Sequence, residues 1–347
     1  MTRFLIIGAG AIGGYVGGCL DLAGHDLTFV TRPAGAASLA ADGLRLTWAR
    51  TGETRVARGF QVVASVAAAL NGPAYDCLIL AVKAYDTEQT IQELQAITTT
   101  PPPILALQNG VDAEAVLTAA FGPQTVLSGT VTTPVSKQAG ELVIEKTRGM
   151  GIALGHPLSQ HLAATLTQAG IQTRLYGSAG AMKWSKLLAN LVGNASSAIL
   201  DLPVAALFAD PRLYQIEKQT LRECLAVMRR LGDPVVDLPG TPARALGWAI
   251  SRLPDALVRP LLGRFVGAGR GAKMPSLNLD VQARRTRTEV RWLNGAVARH
   301  GAELGIATPV NAVLTETVEA LTAGRLKLAD FRHKPEALLN LFADSHG

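Results

Sequence analysis

Phe4-Leu5-Ile6-Ile7-Gly8-Ala9-Gly10-Ala11-Ile12-Gly13-Gly14 is the stretch that decides the architecture. An apolar run meets glycines spaced as G-x-G-x-x-G, and the chain continues as Tyr15-Val16-Gly17-Gly18-Cys19-Leu20, which suits a helix. Strand, tight glycine turn and helix in that order make a dinucleotide cradle. Gly8 permits the turn, and Gly10 lets a pyrophosphate approach the backbone. Gly13 lets the helix lie close to the strand with its N-terminal amides aimed at the phosphates. Ala9, Ala11 and Ile12 complete the loop and are expected to touch the cofactor with the three glycines.

The same unit carries a signal for which dinucleotide it holds. A second strand, Asp26-Leu27-Thr28-Phe29-Val30, ends where NAD-binding units usually offer an acidic residue to the ribose 2′-hydroxyl, and here that place reads Thr31-Arg32. A guanidinium cannot accept from a hydroxyl, but its donors suit a phosphate. NADP(H) is therefore the expected cofactor, the alternative for Arg32 being a solvated loop arginine.

Working outward, the first half alternates short apolar runs with helical patterns, as a doubly wound, Rossmann-type parallel sheet should. Expected strands include Cys77–Val82 and Ile104–Leu107, with helices near Thr87–Ile97 and Ala113–Ala120. The segments Thr125–Thr133 and Glu141–Glu145 read as antiparallel additions at a sheet edge. The flexible run Tyr176-Gly177-Ser178-Ala179-Gly180 suggests a boundary, giving an α/β domain over 1–176 and a mostly α-helical domain over 177–347. In the latter, helical periodicity runs over Met182–Leu200, Arg212–Leu231, Val281–Leu304 and Pro309–Leu321, the last with Thr308 as cap. Between Gly232 and Pro275 lies a stretch rich in Pro and Gly, with an amphipathic piece around Ala243–Phe265 that reads as a lid or packing element.

At 347 residues the chain is long enough for two cores. It is 48% hydrophobic, yet no apolar run reaches the ~18 residues of a membrane span and no signal peptide is evident. Cys19, Cys77 and Cys224 are isolated and set among apolar residues, which suits buried thiols in a reducing compartment, so a cytoplasmic protein is expected. The formal charge of +6 comes from dispersed basic residues with only 5% aromatics, which argues against nucleic acid as partner. A positive field serves equally to attract an anionic cofactor and substrate. Metal ligation is not indicated, and an assembly of two copies is left open.

Ligands of a doubly wound sheet collect beyond the carboxyl ends of its strands. Lys83 follows Leu80-Ala81-Val82 there, a cation for the adenosine phosphate end. Asn109, in Gln108-Asn109-Gly110, offers an amide to the nicotinamide ribose or a substrate carboxylate. A solvated lysine and a turn-closing asparagine are the competing readings.

Along Met182–Ser197, at about 100° per residue, Lys186, Asn190, Gly193, Asn194 and Ser197 share one face with Lys183 beside them. The other faces are apolar, so this polar stripe suits a ligand-holding cleft, the competing reading being a stripe that faces bulk solvent. Reduction of a ketone builds negative charge on its oxygen, which Lys186 can stabilise and then protonate, its acidity sharpened by burial beside Lys183. Asn190 and Asn194 would orient the substrate. Glu289 offers a carboxylate on an amphipathic helix between arginines, a setting that also suits a solvated ion pair.

Taken together, Gly8–Gly13, Val82-Lys83-Ala84, Gln108-Asn109-Gly110, Lys186 with Asn190 and Asn194, Lys273-Met274-Pro275-Ser276 with Asp280, and Thr288-Glu289-Val290 with Leu293-Asn294-Gly295 resemble the ketopantoate reductase (2-dehydropantoate 2-reductase) family over nearly the whole chain. The resemblance implies an NADPH-dependent reductase of a small branched 2-oxo acid, with ketopantoate to pantoate as the leading reaction. A reductase of another 2-oxo or 3-hydroxy acid, and a non-catalytic NADPH sensor, are the rivals. It further implies Lys186 as proton donor, and Asn190, Asn194 and Ser276 as substrate ligands. Asn109 would lie near the nicotinamide, Arg32 and Lys83 at the adenosine phosphate end, and Glu289 along the cofactor and substrate cleft. Where some members offer a further substrate asparagine, this chain has Val204.

Overall fold

The computed structural model describes residues 1–138, 140–260 and 274–343. The apolar runs of the first half become strands β1 (Arg3–Ile7), β2 (Asp26–Val30), β3 (Leu44–Trp48), β4 (Glu53–Ala57), β5 (Gln61–Val63), β6 (Cys77–Leu80), β7 (Ile104–Ala106), β8 (Val126–Val131), β9 (Val135–Gln138), β10 (Glu141–Ile144), β11 (Met150–Ala153) and β12 (Thr173–Tyr176). Among the described residues they form an eight-stranded sheet ordered β12-β11-β8-β7-β6-β1-β2-β5 and a four-stranded sheet ordered β4-β3-β10-β9. From β5 to β8 all pairings are parallel, while β11 joins β8 antiparallel. Successive residues of β1 serve opposite faces: Phe4 and Ile6 enter one apolar cluster, Leu5 and Ile7 another. That double burial is why the strand reads as an unbroken apolar run.

Helix α1 (Ala11–Leu22) is packed from two sides. A Cβ on Gly17 would stand 2.3 Å from Phe29 Cζ of the large sheet, and one on Gly18 2.7 Å from Leu46 Cδ1 of the small one. The helix glycines are thus close-approach residues, crowded by the large sheet at Gly17 and by the small one at Gly18. The segments expected as antiparallel edge additions divide differently. β8 is an interior strand parallel to β7, and β10 belongs to the small sheet.

The remaining helices of the first half are α2 (Pro33–Asp42), α3 (Val66–Leu70), α4 (Thr87–Gln95), α5 (Ala113–Phe121) and α6 (Ser159–Gln168). Then come α7 (Ala179–Leu191), α8 (Asn194–Leu200), α9 (Val204–Ala209), α10 (Pro211–Leu231) and α11 (Ala243–Arg252), followed by Ser276–Gln282, Asn294–Glu303 and Pro309–Thr322. Two expected helices are broken. Met182–Leu200 is interrupted at Gly193, whose φ of 64° is left-handed. The span Val281–Leu304 holds the end of one helix, a 3-10 turn at Val290–Trp292 and a new helix from Asn294. Of the amphipathic piece around Ala243–Phe265, residues 261–265 lie outside the described residues, as does Lys273. The chain divides into one unit of Met1–Lys183 with Leu238–Thr241 and a second of Trp184–Asp237 with Pro242 onward.

Candidate active site

In the first unit the glycine loop has the form that a pyrophosphate needs. Gly8 is left-handed with φ 104°, and a Cβ there would stand 2.8 Å from the Val82 amide nitrogen. A Cβ on Gly13 would fall 1.9 Å from the Gly8 carbonyl oxygen, so helix and turn touch backbone to backbone. Around Gly10 a Cβ would meet nothing within 4 Å, leaving the helix N-terminus open to an incoming group. No side chain caps α1 and no acidic residue lies in its first turn. Open amides at the positive end of a helix fit an anion.

The neighbouring strand ends bring together the residues expected from the sequence. β2, β1, β6 and β7 are adjacent and parallel, so Arg32, Gly8, Lys83 and Asn109 follow their carboxyl edge. Chain order reverses between β1 and β6, the place where such sheets bind ligands. Arg32 is 84% exposed and donates from Nη2 to Asp86 Oδ2 at 3.2 Å. Lys83 and Asn109 are half-buried. Gln108 is buried, its amide donating to Thr87 Oγ1 at 3.1 Å.

Lys183 departs from its expected role. It is 4% exposed and belongs to the first unit, where its ammonium donates to Gln108 O at 2.8 Å and meets Glu114 Oε1 at 2.9 Å. Its charge is paired with a carboxylate, which removes the argument that a bare Lys183 cation tunes Lys186. Its chemistry is to tie the Gln108-Asn109 loop to α7.

The second unit holds the other expected residues. Lys186 and Asn190 are half-buried one turn apart on α7. Asn194 opens α8 beyond the left-handed turn, so it does not continue the helical face of Lys186 and Asn190. Ser197 also leaves that stripe, donating its hydroxyl to Leu202 O at 2.7 Å. Asn194 is 5% exposed, and its Oδ1 is buried with no hydrogen-bond partner among the described residues. A buried acceptor left open costs stability unless something donates to it. Glu289 is 5% exposed and precedes the 3-10 turn, which corrects the reading of a helical, solvated carboxylate. Ser276 is exposed at the first residue of its helix.

Comparison with known proteins supplies the family. The model described as "Ketopantoate reductase PanE/ApbA" matches residues 4–156, and the model of its C-terminal part matches 179–322. The chain belongs to the ketopantoate reductase family. Ketopantoate reductases, and so this chain, are nicotinamide-dependent oxidoreductases acting on a ketone or CH–OH group. A 2-dehydropantoate 2-reductase of Archaeoglobus fulgidus is 27% identical over 93% of this chain and 99% of that protein. A PanE/ApbA family ketopantoate reductase from Ralstonia eutropha JMP134 superposes with a TM-score of 0.78 at 26% identity, covering 93% and 99% of the two chains. A D-mandelate dehydrogenase solved with NADH and anilino(oxo)acetate shares the fold, with a TM-score of 0.74 at 21% identity over 93% and 98%.

Within this ketopantoate reductase family member, sequence reading missed several polar residues that the structure buries. Glu217 accepts from the Gly193 amide at 2.6 Å, and Asn278 donates to Ser197 O at 2.8 Å. Glu223 accepts from the Val310 and Asn311 amides and from the Asn311 side chain, while Asn294 Nδ2 donates to Asn311 Oδ1 at 3.0 Å. Burial raises the Glu223 carboxyl above its ordinary range, against the pull of those hydrogen bonds. The available signal was a polar residue at an apolar position of a helical repeat. Val204 is buried, its methyl groups against Gly193. Among the described residues no cluster of His, Cys, Asp and Glu could hold a metal, and no helix is long and apolar enough to cross a membrane.

Proposed function

We propose that the chain is an NADPH-dependent reductase converting 2-dehydropantoate (ketopantoate) to pantoate, a step of pantothenate biosynthesis, in the cytoplasm. Residues 1–176 would hold the cofactor and 177–347 the substrate and proton donor. Family membership and the names of its relatives support the reaction, and Arg32 with Lys83 supports the phosphorylated cofactor. The observation that carries the substrate side is the buried Asn194 Oδ1, without a hydrogen-bond partner among the described residues, which fits a hydroxyl donor on a branched 2-oxo acid.

When bound, the reduced nicotinamide supplies hydride to the carbonyl carbon. Lys186 donates a hydrogen bond to the carbonyl oxygen, stabilises its developing charge, and gives up its proton to form the alcohol. Solvent then reprotonates the amine. Asn190 and Asn194 orient the substrate's hydroxyl and carboxylate, with Ser276 as a further donor. Asn109 would serve the nicotinamide ribose, and Glu289 would serve the cofactor and substrate from the second unit.

Val204 favours a second reading, a different 2-oxo acid with one fewer polar contact, because its buried isopropyl group offers no hydrogen bond. NADPH oxidation across a panel of 2-oxo acids separates the two. The reaction itself is tested by Lys186→Ala with NADPH and ketopantoate. Turnover should fall about a hundredfold or more while NADPH affinity holds. Retained turnover would remove Lys186 from the mechanism.

A further inference from the structure

Between Asn190 and Asn194 the chain makes its left-handed turn at Gly193. That turn is held on two sides. A Cβ on Gly193 would stand 2.3 Å from Val204 Cγ1, so Val204 closes one side. The Gly193 amide donates at 2.6 Å to Oε2 of Glu217, which lies in the second turn of α10. Glu217 is 1% exposed. Burying a carboxyl group is costly, and it persists where its hydrogen bonds fix something that an apolar side chain cannot.

We infer that Glu217 is a positioning residue for substrate binding: its carboxylate fixes the Gly193 peptide plane and thereby sets where the Asn194 amide stands. Asn194 follows Gly193 directly, so any rotation about the Gly193 backbone swings its side chain. With the amide anchored, Asn194 Oδ1 stays buried and open to a donor, as observed. The inference deepens the reading in which Asn194 binds the 2-oxo acid and rests on it. Glu217 touches neither cofactor nor substrate in this scheme, and its effect on Asn194 passes through the hydrogen bond it accepts from the Gly193 amide.

A graded series tests it. Glu217→Gln keeps an acceptor at the same reach, Glu217→Asp draws it back by one methylene, and Glu217→Ala removes it. The KM for ketopantoate should stay near the wild-type value in the Gln variant, rise a fewfold in Asp and reach about tenfold in Ala, with the KM for NADPH unchanged throughout. A merely structural role would lower Tm in that order without moving the substrate KM of the folded enzyme. If the Ala variant does not fold, the Gln and Asp pair carries the same comparison. Asn194→Ala, alone and combined with Glu217→Ala or Glu217→Asp, completes a cycle in which the double variant should be no worse than Asn194→Ala. A substrate KM unmoved by Asn194→Ala sinks the role of Asn194 and the inference with it. A KM raised by Asn194→Ala yet unmoved by folded Glu217→Asp or Glu217→Ala, or a purely additive cycle, overturns the positioning role and leaves Asn194 standing.

Discussion

The Arg32 guanidinium reaches Asp86 across 3.2 Å from a largely exposed position. An exposed ion pair of this kind holds a side chain loosely, so a phosphate dianion can displace the carboxylate. Charge-assisted hydrogen bonds contribute roughly 1.5–3 kcal/mol, and exposure takes the lower end of that range. Arg32→Ala should therefore raise the KM for NADPH about tenfold and that for NADH by less than about twofold, with the gap narrowing as salt is added. Equal effects on both cofactors would leave Arg32 without a role at the 2′-phosphate. Arg32 was legible in the sequence because its place follows from local strand spacing. Asp86, its partner in the ion pair, was not, because the two follow β2 and β6, which only the sheet order sets on either side of β1.

Helix α10 shows what an element owes to its cap. Asp210 accepts from the Arg212 and Leu213 amides, and Pro211 occupies the first turn. Partial burial works to raise the Asp210 carboxyl, but the amides and the Arg212 side chain outweigh it and hold it below the usual range. A depressed carboxyl stabilises the fold above its unfolded value of about 3.9, and that contribution disappears as pH falls through the folded value. Asp210→Ala should cost about 1 kcal/mol at neutral pH, and the gap from wild type should close as pH drops below about 4. Urea midpoints across pH 3–7 check both statements. A gap that stays constant across that range would assign the loss to something other than the ionised cap.

Across the whole molecule the three cysteines are buried. Burial pushes the Cys19 and Cys77 thiols up to about 12, and raises Cys224 in the same way. Thiolate is the reactive form, so native enzyme at pH 8 should barely react with a disulfide reagent, while three thiols titrate after denaturation. Rapid modification of the native protein would contradict this burial. The cradle, the alternation of strand and helix, and the helical character of the second half are written in the sequence. Glycine spacing, apolar runs and helical periodicity act over a few residues, and they suffice to specify the α/β architecture and the glycine turn at the carboxyl edge of its strands. The break at Gly193, the pairing of Lys183 with Glu114, and the burial of Glu217 against a backbone amide came only from the folded chain. Each depends on segments distant in sequence meeting at atomic separation, where packing and hydrogen-bond satisfaction choose among conformations that a local pattern leaves equally open.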